Sequence, residues 1–301
     1  MRKKLTLLTA GFATAALALT GCGGSTAIST APAGSGDTET GSSLFEVASD
    51  VTLEGSPTFD KMKEADKVII GVKEDQPGLG FLDAGTGKRS GFDIEIARWI
   101  AASLGFSADK IEYKAIPSAN RESAIVNGDV DYYVGTYSIT DKRKDQVGFA
   151  GPYFVTGQGL LVEADNSGIK SEDDLAGKTV CSATGSTPIQ NIKDNFPDTK
   201  TTEFDTYSQC VDALKDGQVD AVTTDQAILI GYAAQDPDAL KVVGEPFSTE
   251  KYGVGIAKDD TALREFINTM FTDGGETWTK IYDATLGESG TKVDQPEVEA
   301  Y

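Results

Sequence analysis

Apolar and polar positions first fall into a clear pattern at Lys67-Val68-Ile69-Ile70-Gly71-Val72, an unbroken apolar run of strand length. A polar loop, Lys73 to Gly78, leaves its carboxyl end, where open α/β sheets place ligands. Phe81-Leu82-Asp83 and the turn Gly85-Thr86-Gly87 predict a hairpin, and Asp60 to Lys67 a short helix. From Gly91 to Gly105 the period changes to that of a helix, with Ile94, Ala97, Ala101 and Leu104 on one face. Asp93 is expected as its N-cap, and Gly105 lies past its end.

One pattern occurs twice. Ala124-Ile125-Val126-Asn127-Gly128-Asp129-Val130-Asp131 and Ala213-Leu214-Lys215-Asp216-Gly217-Gln218-Val219-Asp220 each close a helix on glycine and open a strand on Val-Asp. Apolar runs follow, Tyr132 to Ser138 and Ala221 to Thr224, and both end in hydroxyl residues. Two similar α/β units therefore each offer a polar strand end. The first continues through Val134 to Arg143, where Thr136, Ser138 and Thr140 add short hydroxyls to the backbone N–H groups of an ending strand. Arg143 adds a rigid fork of donors that fits a carboxylate. The stretch reads as a seat for a small carboxylate or, more plainly, as a solvated turn with a surface charge run from Asp141 to Asp145.

The amino-terminal pattern is different. Arg2, Lys3 and Lys4 precede an apolar run through Leu19, so residues 1–21 read as a secretory signal, too short and wrongly flanked for a spanning helix. Residues 22–43 are Gly, Ser, Thr, Ala and Pro with almost no large apolar side chain, a flexible linker that cannot bury a core. A tether of ~20 residues spans roughly 25 Å. The acidic tail, residues 288–301, is expected to be mobile.

Composition narrows the function. A chain of 301 residues suggests two folding units once its processed ends are removed. Its net charge of −20 argues against nucleic acid and anionic lipid as partners. Histidine is absent, which removes the commonest general base and most zinc sites. There is neither a Gly-x-Ser-x-Gly elbow nor a phosphate loop, and the Gly85-Thr86-Gly87 cluster does not follow a strand in dinucleotide-binding fashion. No cofactor, metal or catalytic residue is expected.

Gly91 to Leu104 resembles the signature of the family 3 bacterial extracellular solute-binding proteins, the polar-amino-acid receptors of ABC importers. Further marks follow in order: Ser138-Ile139-Thr140-Asp141-Lys142-Arg143, Phe149 to Phe154, Asp174 to Val180, Thr184 to Thr187, and Val219 to Val222. The likeness is strongest to the glutamate-binding subgroup, through Asp75 to Gly80, Asn120-Arg121 and Cys181 to Thr187. It implies an α/β, two-lobed fold of the periplasmic-binding-protein type II, each lobe a mixed sheet flanked by helices, with the ligand cleft between them. Residues 44–156 are then the first part of lobe 1, 157–249 lobe 2, and 250–287 the return to lobe 1. The chain crosses between lobes at Pro152 to Gly157 and Phe247 to Gly253.

Leu19-Thr20-Gly21-Cys22 resembles the lipobox of bacterial lipoproteins, which implies acylation of Cys22 and a place at the outer face of the cell membrane; an ordinary signal cleavage is the alternative. Cys181 and Cys210 then remain as an even pair, a disulfide in an exported protein or else two buried thiols.

The resemblance also implies a site. Arg143, the N–H groups near Ser138 and those of Thr184, Gly185 and Ser186 take the α-carboxylate, while Asp225, the Ser138 hydroxyl and a carbonyl near Thr136 take the ammonium. Asp225 could instead cap the helix that follows. Lys73 stands where glutamine receptors of this kind carry an acid, so a carboxylate side chain is favoured; Arg121 is a second candidate. The plainer readings are an exposed Lys73 and an Arg121 paired with Glu122 or Asp129. Gln76 and Leu79 occupy the loop where many members place an aromatic platform, and Cys181 stands where some carry a ligand-contacting lysine. The expected ligand is L-glutamate, with glutamine and aspartate left open. The expected partners are permease subunits, and the protein itself is expected to be a monomer. A dehydratase-like enzyme on the same fold is the competing class, with Glu74 and Asp75 as the loop carboxylates that could serve it.

Overall fold

In the computed structural model the described residues are 44–287 and 293–300; the signal segment, Cys22 and the linker lie outside them. Lobe 1 opens with α1 (Pro57–Ala65) and β1 (Val68–Val72), then the short strands β2 (Asp75–Gln76), β3 (Gly80–Leu82) and β4 (Arg89–Ser90). It continues through α2 (Phe92–Ser103), β5 (Ile111–Ala115), α3 (Arg121–Val126), β6 (Tyr132–Tyr133), α4 (Asp141–Lys144) and β7 (Gly148–Thr156). Lobe 2 comprises β8 (Gln158–Glu163), β9 (Thr179–Ala183), α5 (Thr187–Asn195), β10 (Lys200–Phe204), α6 (Tyr207–Lys215), β11 (Ala221–Asp225), α7 (Gln226–Gln235) and β12 (Leu240–Val243). The chain then returns as β13 (Glu250–Ile256), α8 (Thr261–Asp273) and α9 (Gly275–Thr285).

Each lobe has its own five-stranded sheet, ordered β5-β1-β6-β13-β7 in lobe 1 and β10-β9-β11-β8-β12 in lobe 2. The pairing is the same in both: β1 is parallel to β5 and β6, as β9 is to β10 and β11. In each sheet the next strand, β13 or β8, runs against them, and the last, β7 or β12, pairs antiparallel with it. The repeated Val-Asp accounts for part of this. Asp131 exchanges two bonds with Ile69, its carboxylate accepting the Ile69 N–H at 2.7 Å and its own N–H donating to the Ile69 carbonyl. Asp220 does the same with Thr179. The glycines before them, Gly128 (φ +70°) and Gly217 (φ +68°), hold the left-handed turn that ends each helix.

The predicted helix face is buried on lobe 1, with Ile94, Ala97, Ala101 and Leu104 fully covered. Its N-cap differs from expectation. Gly91 occupies that position at φ +113°, where a Cβ would meet the Leu79 carbonyl at 2.2 Å, so Asp93 lies inside the first turn and points into the core. At the crossings, Thr156 pairs with Glu250 as the two strands pass between lobes, and Gly157 permits an approach to the Ser248 carbonyl that a Cβ would close to 2.3 Å. Cys181 on β9 and Cys210 on α6 are brought to S–S bonding distance, 2.00 Å. The described part of the tail, expected to be mobile, lies against lobe 1. Glu299 donates its N–H to Gly151, Gln295 bonds the Phe271 carbonyl at 2.7 Å, and Val293 and Val298 pack against the core.

Candidate ligand-binding site

Beyond β6 the chain turns through Thr136 at φ +46°, an uncommon conformation for a β-branched residue and a form of strain that collects at binding sites. Asp93 holds it there: its carboxylate accepts the Thr136 N–H at 2.8 Å and the Tyr153 hydroxyl at 2.9 Å. Burial pushes Asp93 up to about 6, against the pull of these two hydrogen bonds. Gln76 bonds the Thr136 hydroxyl at 3.1 Å. The turn aims two carbonyls at cations, Thr136 at Arg121 (3.3 Å) and Ser138 at Arg143 (2.7 Å). The Thr136 carbonyl thus serves a guanidinium.

Lys73, Arg121 and Arg143 are all buried, at 5%, 2% and 7% exposure. Lys73 donates to the Ser118 hydroxyl at 2.8 Å, and Arg121 Nε to the Ser118 carbonyl at 3.1 Å. The Tyr137 ring lies 4.4 Å from the Arg121 guanidinium and 5.0 Å from that of Arg143. Glu122 pairs with Arg143 at 3.2 Å, not with Arg121. Among the described residues neither Arg121 nor Lys73 forms a salt bridge. Burial, and then the charge of Arg121, pushes the Lys73 ammonium down to about 7 and Arg143 to about 10. Cations buried together in this excess favour an anion among them.

Lobe 2 meets this cluster at the turn before α5. Gly185, at φ +77°, sits so close to Ala119 that a Cβ would meet its Cα at 2.8 Å. Its carbonyl accepts from Arg143 at 3.1 Å and Arg121 at 3.4 Å. The N–H groups of Thr184 and Ser186, expected to face a carboxylate, are bonded within lobe 2 to Phe204 and Ala183. The Ser186 hydroxyl caps α5.

Asp225 ends β11 and is buried at 3% exposure. Oδ2 accepts the Tyr252 hydroxyl at 2.7 Å, while Oδ1 is buried without a partner. The side chain does not cap α7. Burial first, then the neighbouring Glu250, pushes Asp225 up to about 8. A buried acceptor in this state favours a donor with a positive charge.

Four functional candidates were not foreseen: Asp93, Ser118, Glu250 and Tyr207. Glu250 accepts from Ser248 at 3.0 Å and Thr187 at 2.8 Å, and the Thr187 hydroxyl also reaches Ser138 across the cleft at 3.3 Å. Tyr207, at the start of α6, lies against Ser186, Thr224 and Asp225; burial, and then Asp225, pushes its hydroxyl up to about 12. Leu79, where many members place an aromatic platform, is fully buried in the core. The two loop acids are engaged elsewhere, Glu74 with Arg89 at 3.2 Å and Asp75 with the backbone of α6. Outside the guanidiniums the cleft opens into a mouth of about 460 Å³, lined by Glu122, Gln146, Thr187, Gln190 and Lys193 among others. A separate hollow of about 280 Å³ beside the crossings is lined by Phe154, Ala227, Ile230, Leu286 and Val293 and offers no formal charge.

Known proteins resemble the chain along most of its length. The profile of the bacterial extracellular solute-binding proteins, family 3, matches residues 68–288. The chain is 43% identical over 246 residues to the glutamate-binding protein GluB of Corynebacterium efficiens, covering 77% of this chain and 83% of that one. It is 44% identical over 209 residues to a glutamine-binding protein of Geobacillus stearothermophilus, covering 69% and 79%. Among solved structures, a cysteine-binding protein from Campylobacter jejuni superposes with a TM-score of 0.74 at 30% identity, over 80% of this chain and 98% of that one.

Proposed function

Because the chain belongs to the bacterial extracellular solute-binding proteins, family 3, we propose that it is the amino-acid receptor of an ABC importer and that its ligand is L-glutamate. The observation that carries this is the placement of charge: three buried cations on lobe 1 face one buried carboxylate with a free oxygen on lobe 2. L-Glutamate has the complementary set, two carboxylates and one ammonium. Arg143 takes the α-carboxylate, Asp225 the ammonium, and Lys73 with Arg121 the side-chain carboxylate. The Ser138 hydroxyl, the Gly185 turn and Ser186 close around the ligand, and Gln76 with Thr136 backs the seat. The GluB relative supports the assignment by name.

Exchange of hydration for charge-assisted hydrogen bonds worth ~1.5–3 kcal/mol each suffices for the ~8 kcal/mol of a micromolar complex. These contacts come from both lobes, so capture requires closure about the crossings, and the closed form is what permease subunits recognise. Export, acylation of Cys22, a Cys181–Cys210 disulfide and a monomeric state complete the reading.

Glutamine is a second reading, favoured by one observation: Lys73 is pushed down to about 7 and is partly neutral at physiological pH. The enzyme class loses support because both loop acids that could have served it are held by other groups.

A thermal-shift panel of L-glutamate, L-glutamine, L-aspartate and L-arginine on the purified protein separates the ligands. Glutamate is expected to give the largest shift, and a larger shift with glutamine or arginine overturns the roles of Lys73 and Arg121. NMR of the recovered ligand should show it chemically unchanged.

A further inference from the structure

Lobe 1 also reaches lobe 2 away from the cationic cluster. Asp75, the first residue of β2, accepts with Oδ2 the backbone N–H of Tyr207 at 2.9 Å and of Ser208 at 3.2 Å, the first two residues of α6. The Tyr232 hydroxyl of α7 lies 3.3 Å from the same oxygen and donates to the Asp75 carbonyl as well. Two residues on, the Pro77 carbonyl comes so near α7 that a Cβ on Gly231 would meet it at 2.2 Å.

A helix leaves its first N–H groups without partners of its own. Within lobe 2, Thr206 serves the N–H of Gln209 in a capping box, which leaves those of Tyr207 and Ser208. The group that serves them is a carboxylate on the other lobe, placed at the positive end of the helix dipole. A cap supplied across the cleft exists only while the cleft is shut. The capped turn also carries Tyr207, whose hydroxyl lies beside Ser186, Thr224 and Asp225.

We propose that Asp75 is a positioning residue for ligand capture: it latches the lobes by capping α6 across the cleft and holds the Tyr207 turn against the ligand without itself selecting the ligand. This rests on the receptor reading but not on glutamate as the ligand. The latch acts on the lifetime of the closed complex, because the cap must break before the lobes part, whereas capture begins with the lobes apart.

The test uses the full chain and its Asp75→Ala and Asp75→Asn variants, with L-glutamate and L-glutamine as probes in stopped-flow dissociation. Hydrogen exchange of the Tyr207 and Ser208 amides is read in the same samples. For Asp75→Ala, dissociation should accelerate roughly tenfold with association little changed, since hydrogen bonds to a charged group are lost. Both amides should exchange faster in the liganded protein, and the order of preference among amino acids should stay as in the unaltered protein. Asp75→Asn should fall between, keeping one acceptor without the charge. Unchanged dissociation and exchange in Asp75→Ala would overturn the latch, and so would a changed order of preference, which would make Asp75 a ligand contact. A lower melting temperature with unaltered dissociation would reduce it to a structural cap. Failure of the glutamate assignment shows separately, in which probe the unaltered protein prefers.

Discussion

The two lobes share a scaffold and differ in charge. In both, the second strand of the sheet pairs with parallel neighbours, a Val-Asp locks onto that strand, and a polar strand end follows. Lobe 1 brings Lys73, Arg121 and Arg143 there; lobe 2 brings Asp225 and a glycine turn that offers a carbonyl. The common scaffold decides where functional groups stand, and the side chains decide what they hold. Lobe 1 meets only part of its charge, pairing Arg143 with Glu122 while Lys73 and Arg121 have no salt bridge among the described residues, and lobe 2 leaves Asp225 Oδ1 buried without a partner.

Removing a charge from either lobe gives the largest effect. Arg143→Ala and Asp225→Ala should each weaken amino-acid binding by about 100-fold or more, because loss of one partner leaves the other charge buried and unpaired. Titration calorimetry of both variants checks this. A loss confined to Arg143→Ala would mean that lobe 2 contributes shape and not charge.

The approach of the lobes can be broken while their charges stay in place. Gly231 lies inside α7, so Gly231→Ala should stabilise the ligand-free protein by ~0.5–1 kcal/mol through helix propensity. Its new Cβ would collide with the Pro77 carbonyl of lobe 1, and affinity should fall by at least about tenfold, the factor set by ~1.4 kcal/mol of lost closure. A raised melting temperature with weakened binding in calorimetry is the expected pair of results. Unchanged binding would show that the loop and α7 need not approach this closely.

How much of this was legible in the sequence follows the range of each interaction. The apolar run at β1, the buried face of α2 and the doubled Val-Asp are local patterns, and they stand where the periodicity puts them. Arg143 and Ser138 share one stretch, and Asp225 closes a recognisable strand. Asp93 does not cap α2, because Gly91 holds that position, and the target of its carboxylate, Thr136, lies 43 residues away. Glu250 reaches Thr187 across 63 residues and Tyr207 reaches the site from another lobe, so neither leaves a signal in spacing. The Thr184 and Ser186 amides are engaged within lobe 2 by strand pairing and a tight turn, which their place in the motif does not announce.

Stability should show the cost of the charge on lobe 2. Asp225 titrates at about 8 when folded, above its ordinary value of 3.8, so its contribution to stability is full below about 4 and is lost as pH rises through 8. Asp225→Asn removes that loss. Without ligand, its melting temperature should gain on the unaltered protein between pH 4 and pH 8, by on the order of 5 °C, and level off above. A gap that does not widen with pH in scanning calorimetry would mean that the carboxylate is better solvated than its burial suggests.

The smallest effect separates the side-chain seat from the seat common to all amino acids. Affinity for any amino acid should rise as Asp225 ionises, whereas affinity for glutamate alone should fall as Lys73 loses its proton above about 7. Measured singly, the two trends overlap. The ratio of glutamate to glutamine affinity cancels the first, because both ligands bring the same ammonium to Asp225. That ratio should be flat below pH 7 and decline above it by roughly threefold to tenfold per pH unit, the limit that linkage to one proton allows. In Lys73→Met it should be flat throughout. Calorimetry at pH 6, 7 and 8 gives the ratios; one that rises with pH, or that declines equally in Lys73→Met, would leave Arg121 as the lobe 1 cation that distinguishes a carboxylate side chain from an amide.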